Sequence, residues 1–227
     1  MSMMIKTTLA EQAYQELRAR IVSGQLRGGE RLLPNELAAE LGISPTPIKE
    51  ACVRLEVDGL VVVSSRRGMV VRCFTEADVE ELYAARMLLE KGAITAAFDG
   101  GLVDDKLIES LKESLEIHRL YAARTSLDDL AMALANDRNF HRALVGAAGI
   151  AMISGWHGRI LGQTHTVFVS VPGGYSRSVQ EHADIFEAIL VRDKHQTLEA
   201  LERHLSRSRK NTLQQVRVLE KQLTGVV

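Results

Sequence analysis

Hydrophobic positions change their period twice along the chain. Over residues 8–23, Ala13, Leu17, Ile21 and Val22 fall on one helical stripe, and Gly24 stops the run. The pattern predicts a short second helix over residues 34–41, ended by Gly42. A third begins at Ser44, a good N-cap, with Pro45 at the first helical position. It carries Ile48, Ala51, Cys52 and Leu55 on one face and ends at Gly59. The period then shortens: two β-branched runs between Val61 and Val71 flank the polar turn Ser64-Ser65-Arg66-Arg67-Gly68, which predicts a hairpin. From Phe74 onward the period is helical, and six helices are expected, over about residues 75–98, 104–124, 126–145, 150–169, 176–192 and 195–223. Thr75 with Asp78, and Ser126 with Asp129, have the spacing that opens a helix, and Val171-Pro172-Gly173-Gly174 has the composition of a break. The expected fold class is mainly α. A winged helix-turn-helix domain over residues 1–72 joins, near Arg72–Phe74, an all-α six-helix antiparallel bundle over residues 73–227.

Composition narrows this picture. The chain has 227 residues, 46% hydrophobic and 25% charged, ordinary values for a globular protein. Disorder, collagen-like repeats and a supercharged nucleic-acid coat are excluded. No run reaches the ~20 apolar residues of a membrane-spanning helix, and the N-terminus lacks the apolar stretch of a signal peptide. Cys52 and Cys73 form neither a CxxC pair nor a disulfide framework, so a reducing cytoplasm is expected. An aromatic content of 4% argues against single-strand binding by base stacking. The net charge of −1 gives no sign of nucleic acid until it is divided. Residues 1–72 hold ten Lys and Arg against eight Asp and Glu, a net of +2, and the remainder has a net of −3.

The winged order has a simple physical use: a major groove admits one helix, whose first turn reaches base edges while a wing touches phosphate. Ser44 and Thr46 can donate to phosphate or bases, and Lys49 lies one turn further in. Arg66 and Arg67, beside Gly68, sit at the wing tip where they can grip phosphate or enter a minor groove. A two-Arg turn is also an ordinary solvated loop, so the shape alone leaves both readings open. The residues carry more. Ile21-Val22-Ser23-Gly24 through Gly28-Gly29-Glu30-Arg31-Leu32, the stretch Glu36 to Ala51, then Arg54-Leu55, Gly59-Leu60 and Arg66-Arg67-Gly68 resemble the DNA-binding domain of GntR-family bacterial repressors. That resemblance implies a double-stranded, pseudo-palindromic operator read by a homodimer, and adds Arg54 to the DNA-facing set. Gly28 stands where the family has Pro, and Pro45 and Lys49 replace frequent arginines. Lys keeps the charge but loses the bidentate fork, which favours phosphate contact over guanine readout.

In the bundle, Asp137 and His141 are four apart on one helix and point the same way. His182 aligns with Ile185, Phe186 and Ile189, and His204 lies between Leu201 and Leu205. Each histidine alone reads as a satisfied core residue; together with the Asp they suit a borderline divalent ion such as Zn²⁺ or Ni²⁺. Asp137-Arg138-Asn139-Phe140-His141, Glu181-His182-Ala183-Asp184-Ile185 and His204-Leu205 resemble the FCD effector domain, of the shorter VanR-like kind. The resemblance implies that Asp137, His141, His182 and His204 bind metal, beside which a small carboxylic acid is held. Arg86 matches an arginine of the first FCD helix and is suited to clamp a carboxylate, or else is an exposed helix residue. Arg159, Gln163 and Arg177 are further effector candidates, and His118, His157, His165 and His195 match no ligand position and are expected at the surface or in a pocket. The function expected is a DNA-binding regulator, not an enzyme. The alternatives are a metal-dependent hydrolase, which lacks an evident general base, and a direct metal sensor.

Overall fold

The computed structural model describes residues 8–64, 67–122, 127–169 and 176–224, and it divides the chain into two compact units. One comprises Met1–Phe74 with His165–Ser170, the other Thr75–Thr164 with Val171–Val227.

In the first unit, α1 (Leu9–Val22) is capped by Thr8, whose hydroxyl accepts from the Glu11 amide at 3.1 Å. Its stripe of Ala13, Leu17, Ile21 and Val22 is buried as expected. It packs on α3 (Pro45–Val57), which buries Ile48, Ala51, Cys52 and Leu55. Helix α2 (Pro34–Leu41), between them in the chain, packs on α3 and is held to α1 by Arg20, which bonds both Glu16 and Glu40 at 2.7 Å. Ser44 has the extended backbone of an N-cap, but its side chain makes no capping bond. The hairpin is β1 (Val61–Ser64) and β2 (Gly68–Val71), antiparallel, with Val61 opposite Val71 and Ser64 opposite Gly68. One feature was not foreseen from sequence: the Gly29–Leu32 segment pairs along the other edge of β2. Gly29 N–H donates to Val71 O at 2.8 Å and Leu32 N–H to Met69 O at 2.9 Å, which covers an otherwise open strand edge.

In the second unit, α4 (Glu76–Asp99) opens with the capping box expected at Thr75 and Asp78. It is followed by α5 (Asp105–Ala122), α6 (Leu127–Gly146), α7 (Ala151–Val169, of which this unit holds the residues up to Thr164), α8 (Ser176–Leu190) and α9 (Lys194–Thr224). Ser126 and Val171–Gly174 lie outside the described residues. Helix α4 packs on α6 and α9, α5 on α6 and α8, and α8 on α9. Their common core includes Ile94, Leu111, Phe140, Leu144, Ile185, Ile189, Leu201 and Leu205. Nearly all of these follow a 3.6-residue stripe, so burial of one apolar face per helix builds the unit. Among the described residues no helix is long and apolar enough to cross a membrane.

The turn between α2 and α3 depends on Gly42, which adopts φ 67° and ψ 28° and returns its N–H to Ala38 and Ala39 carbonyls. A Cβ there would meet no atom within 4 Å, so substitution costs backbone strain and nothing else. Gly42→Ala is expected to destabilise the protein by about 1–2 kcal/mol, with Gly42→Asn recovering much of the loss because Asn tolerates this conformation. Urea unfolding of the two variants checks this; equal stability of Ala and wild type would contradict it.

Candidate metal centre and DNA-facing helix

The second unit brings four side chains together. Asp137 and His141, one turn apart on α6, meet His182 from α8 and His204 from α9. His141 Nε2 lies 3.2 Å from both His182 Nε2 and His204 Nε2, and His182 Nε2 lies 3.5 Å from Asp137 Oδ1. All three histidines are buried, with His141 and His182 fully so, and Phe140 stacks on His182 at 4.4 Å between ring centroids.

The opposite ring nitrogens decide what this cluster can hold. His141 Nδ1 is 2.8 Å from Glu90 Oε2 of α4, and His204 Nδ1 is 2.9 Å from Glu181 Oε2 of α8. A carboxylate only accepts, so both histidines carry their proton on Nδ1 and turn an unprotonated Nε2 inward. His182 Nδ1 lies 3.3 Å from Nδ1 of His118, whose Nε2 is 3.4 Å from the Ser178 hydroxyl. With His118 Nε2–H donating to Ser178, His118 Nδ1 accepts from His182, and the third Nε2 is also a lone pair. Lone pairs 3.2 Å apart on the histidines, with an Asp137 oxygen 3.5 Å from His182 Nε2, repel one another unless a cation stands among them. Donors at the 2.0–2.1 Å of a Zn–N bond in a tetrahedral shell stand about 3.3–3.4 Å apart, close to the spacings seen. The three histidine donors therefore fit a divalent ion, with the Asp137 carboxylate 3.5 Å from His182. Among the described residues two triples could hold a metal, His141 with His182 and His204, and His118 with Asp137 and His182; His182 belongs to both.

Electrostatics agree with neutral imidazoles. Burial pushes His141, His118 and His157 below the ordinary histidine value and His182 well below it. Burial would by itself raise Glu90, but the Arg86 guanidinium and then His141 outweigh it and hold the carboxyl well below the usual range. Glu181 is lowered for the same kind of reason, by His204 and Arg207 against its own burial.

Arg86 is 1% exposed, which removes the exposed-residue reading. Its Nε donates to Glu90 Oε1 at 2.7 Å, and its buried Nη2 has no hydrogen-bond partner. Arg159 is exposed on α7 and Gln163 half-buried, while the Arg177 side chain lies outside the described residues. Of the histidines expected at a surface or pocket, only His195 is exposed; His118, His157 and His165 are fully buried. Sequence reasoning missed Glu90, Glu181 and His118 as partners of the ligand histidines. The signals were present: Glu90 is one turn from Arg86, Glu181 adjoins His182, and His118 continues the buried stripe Leu111-Ser114-Leu115.

In the first unit, Ser44, Thr46 and Lys49 are all exposed on the first turns of α3, with Glu50 and Val53 beside them. Arg67 and Gly68 are exposed at the hairpin, and Arg66 lies outside the described residues. Arg54 is turned back: its Nη1 bonds Glu11 Oε2 at 2.6 Å and its guanidinium lies 4.0 Å over the Tyr14 ring, which itself bonds Asp58.

A three-helix domain with a wing, on one chain with a helical domain whose core carries a His/Asp cluster, defines a class of DNA-binding regulators. The chain belongs to the GntR family of bacterial transcriptional regulators and carries an FCD domain. The model of bacterial regulatory proteins of the gntR family matches residues 9–71, and that of the FCD domain matches residues 81–207. The chain is 33% identical to the HTH-type transcriptional regulator YdhC of Bacillus subtilis, over 59% of this chain and 58% of that one. It is 32% identical to the gluconate operon transcriptional repressor of Bacillus licheniformis, over 57% and 51%. The matched stretch thus spans little more than half the length of these relatives. A GntR transcriptional regulator from Rhodococcus sp. RHA1 shares the fold at a TM-score of 0.81 and 23% identity, covering 91% of this chain and 98% of that one. These families and relatives are regulators rather than enzymes, which sets the hydrolase reading aside.

The buried neutral histidines set a pH dependence. Above the unfolded value of about 6.5 neither state protonates them. Below it the unfolded chain takes up protons that the folded core refuses, and lowered carboxyls such as Glu90 add a loss of the same sign at lower pH. The metal-free protein should therefore show a level urea midpoint above about pH 7 and a falling one from about pH 6.5 downward. A midpoint unchanged to pH 5 would count against a buried neutral cluster.

Proposed function

We propose that the protein is a cytoplasmic, homodimeric transcriptional repressor whose operator affinity is set by a small carboxylic acid bound beside a Zn²⁺ or Ni²⁺ ion. In this reading residues 1–72 read DNA and residues 73–227 hold effector and partner subunit. The observation that carries it is the convergence of three unprotonated Nε2 atoms and one Asp137 oxygen, on a chain that also presents an exposed α3 first turn and a wing. Asp137, His141, His182 and His204 are the residues that would hold the ion, which when bound would supply a Lewis-acidic centre for a carboxylate oxygen. Arg86 Nη2, a buried donor without an acceptor, supports a carboxylate subsite nearby; Arg159, Gln163 and Arg177 stand as secondary candidates. On the DNA side Ser44, Thr46 and Lys49 would meet the major groove, and Arg66, Arg67 and Gly68 the backbone or minor groove. Arg54, committed to Glu11 and Tyr14, would brace α3 against α1. Repression is inferred from the similarity to the gluconate operon transcriptional repressor of Bacillus licheniformis.

The test is anisotropy of a duplex carrying the gene's own upstream region. Binding should fall with salt, and Lys49→Ala and Arg67→Ala should each weaken it on all sequences and reduce the log–log salt slope by about 1. Adding a responsive acid to the metal-loaded protein should shift operator affinity, and by linkage the operator should shift acid affinity by the same factor. Absence of salt-dependent binding would remove the DNA-reading proposal. A response to Zn²⁺ alone, unchanged by organic acids, would replace the effector reading with direct metal sensing.

A further inference from the structure

Glu90 occupies a junction that the metal reading leaves unassigned. It is fully buried on α4, and three side chains converge on it. Its Oε2 accepts from His141 Nδ1 of α6 at 2.8 Å. Its Oε1 accepts from Arg86 Nε, one turn earlier, at 2.7 Å and from His157 Nε2 of α7 at 3.1 Å. Of the other nitrogens on those last two side chains, Arg86 Nη2 and His157 Nδ1 make no hydrogen bond. Arg86 Nε and His157 Nε2 thus both meet one oxygen of the same buried carboxylate.

A neutral imidazole carries one proton and can place it on either nitrogen. Only the Nδ1–H form of His141 turns a lone pair toward His182 and His204, each 3.2 Å away. An Nε2–H form would aim a proton into the space an ion would need. The acceptor at Nδ1 therefore selects the useful tautomer, and it also fixes the ring's rotation. Glu181 has the same relation to His204, but it sits on the edge of the unit with Arg207 beside it, whereas Glu90 has no solvent to compete for its partners.

We propose that Glu90 is the positioning residue of the metal centre: it locks His141 in the Nδ1–H tautomer, and Arg86 and His157 hold Glu90 in place to do so. This rests on the metal reading above, and the experiment separates the two. Long-range ¹H–¹⁵N correlation on the metal-free full chain reports histidine tautomers, and competition with a chromophoric chelator reports Zn²⁺ affinity. Wild type should show His141 as Nδ1–H and should bind Zn²⁺. Glu90→Gln should lower Zn²⁺ affinity about 10–100-fold, the usual consequence of removing an acceptor behind a ligand histidine. Because that variant leaves a buried guanidinium unpaired, Arg86→Met/Glu90→Leu removes both charges together and keeps the volume, a change that cores often accept. The double variant should melt within a few degrees of metal-free wild type, lose the same Zn²⁺ affinity and show His141 as a mixture of tautomers. Unchanged Zn²⁺ affinity in the folded double variant, or wild-type His141 as Nε2–H, overturns the positioning role while leaving the metal reading standing. A wild type that takes up no Zn²⁺ overturns the metal reading and the proposal with it.

Discussion

An ionised carboxylate taken out of water costs several kcal/mol even after the surroundings relax. Glu90 has no solvent exposure, yet the Arg86 guanidinium and His141 hold it in the charged form. It is tolerated because donors from α4, α6 and α7 meet it within 3.1 Å. Each donor demands a particular rotation of its helix, since one residue of slippage turns a side chain through about 100°. The rotation that brings His141 Nδ1 to Glu90 also sends Phe140 into the apolar core and onto the His182 ring. It leaves Asp137, one turn back, on the same face as His141. Satisfying one buried charge therefore sets the register in which four potential ligands converge. A buried pair of this kind contributes little net stability compared with hydrocarbon of the same shape. Its effect is on which arrangement of the helices is the low-energy one.

The same constraint explains why the histidines stay neutral. Their surroundings offer acceptors for Nδ1–H, from Glu90, Glu181 and His118, so each ring spends its one proton there and faces the others with Nε2. Protonating either ring would add charge in a dry core, and burial is the largest factor opposing it. The folded state thus keeps lone pairs in mutual contact, an arrangement whose cost a divalent ion removes. Since an unfolded chain offers no such grouping, the free energy of binding an ion there is also free energy of folding.

Much of the fold was legible because it follows from periodicity. The stripes Ala13-Leu17-Ile21-Val22 and Ile48-Ala51-Cys52-Leu55, the Gly42 turn, the Thr75 capping box and the Val61–Val71 hairpin are local signals, and each formed where its pattern lay. The Asp137, His141, His182 and His204 grouping was also visible, since each sits on an inward face. What escaped was long-range. The pairing of Gly29–Leu32 with β2 carries no alternation long enough to read. Glu90, His118 and His157 looked like unremarkable helix residues because their partners lie 51, 64 and 67 positions away. Arg86 could not be placed in or out of the core until Glu90 was known to meet it. Polar residues in a core are specified by partners on other helices, and single-helix patterns cannot name them.

The net charge of −1 is the sum of +2 over residues 1–72 and −3 over the remainder, so the first 72 residues are only weakly basic. On the exposed face of α3 Lys49 stands beside Glu50, and Arg54 is neutralised by Glu11. Each phosphate contact contributes about 0.9 to the salt slope, and a domain with few such contacts holds DNA weakly at physiological salt. Under the proposed reading, tight binding must come from joining two such domains, so that the second engages at the effective concentration set by the first. Two weak readers give a steep dependence on whether both can reach their half-sites at once. A change in the helical domains that spoils this simultaneous fit then removes most of the affinity without altering any residue that touches DNA. Weak charge on each reader is, in that reading, what would give a ligand bound in the acidic bundle leverage over the operator.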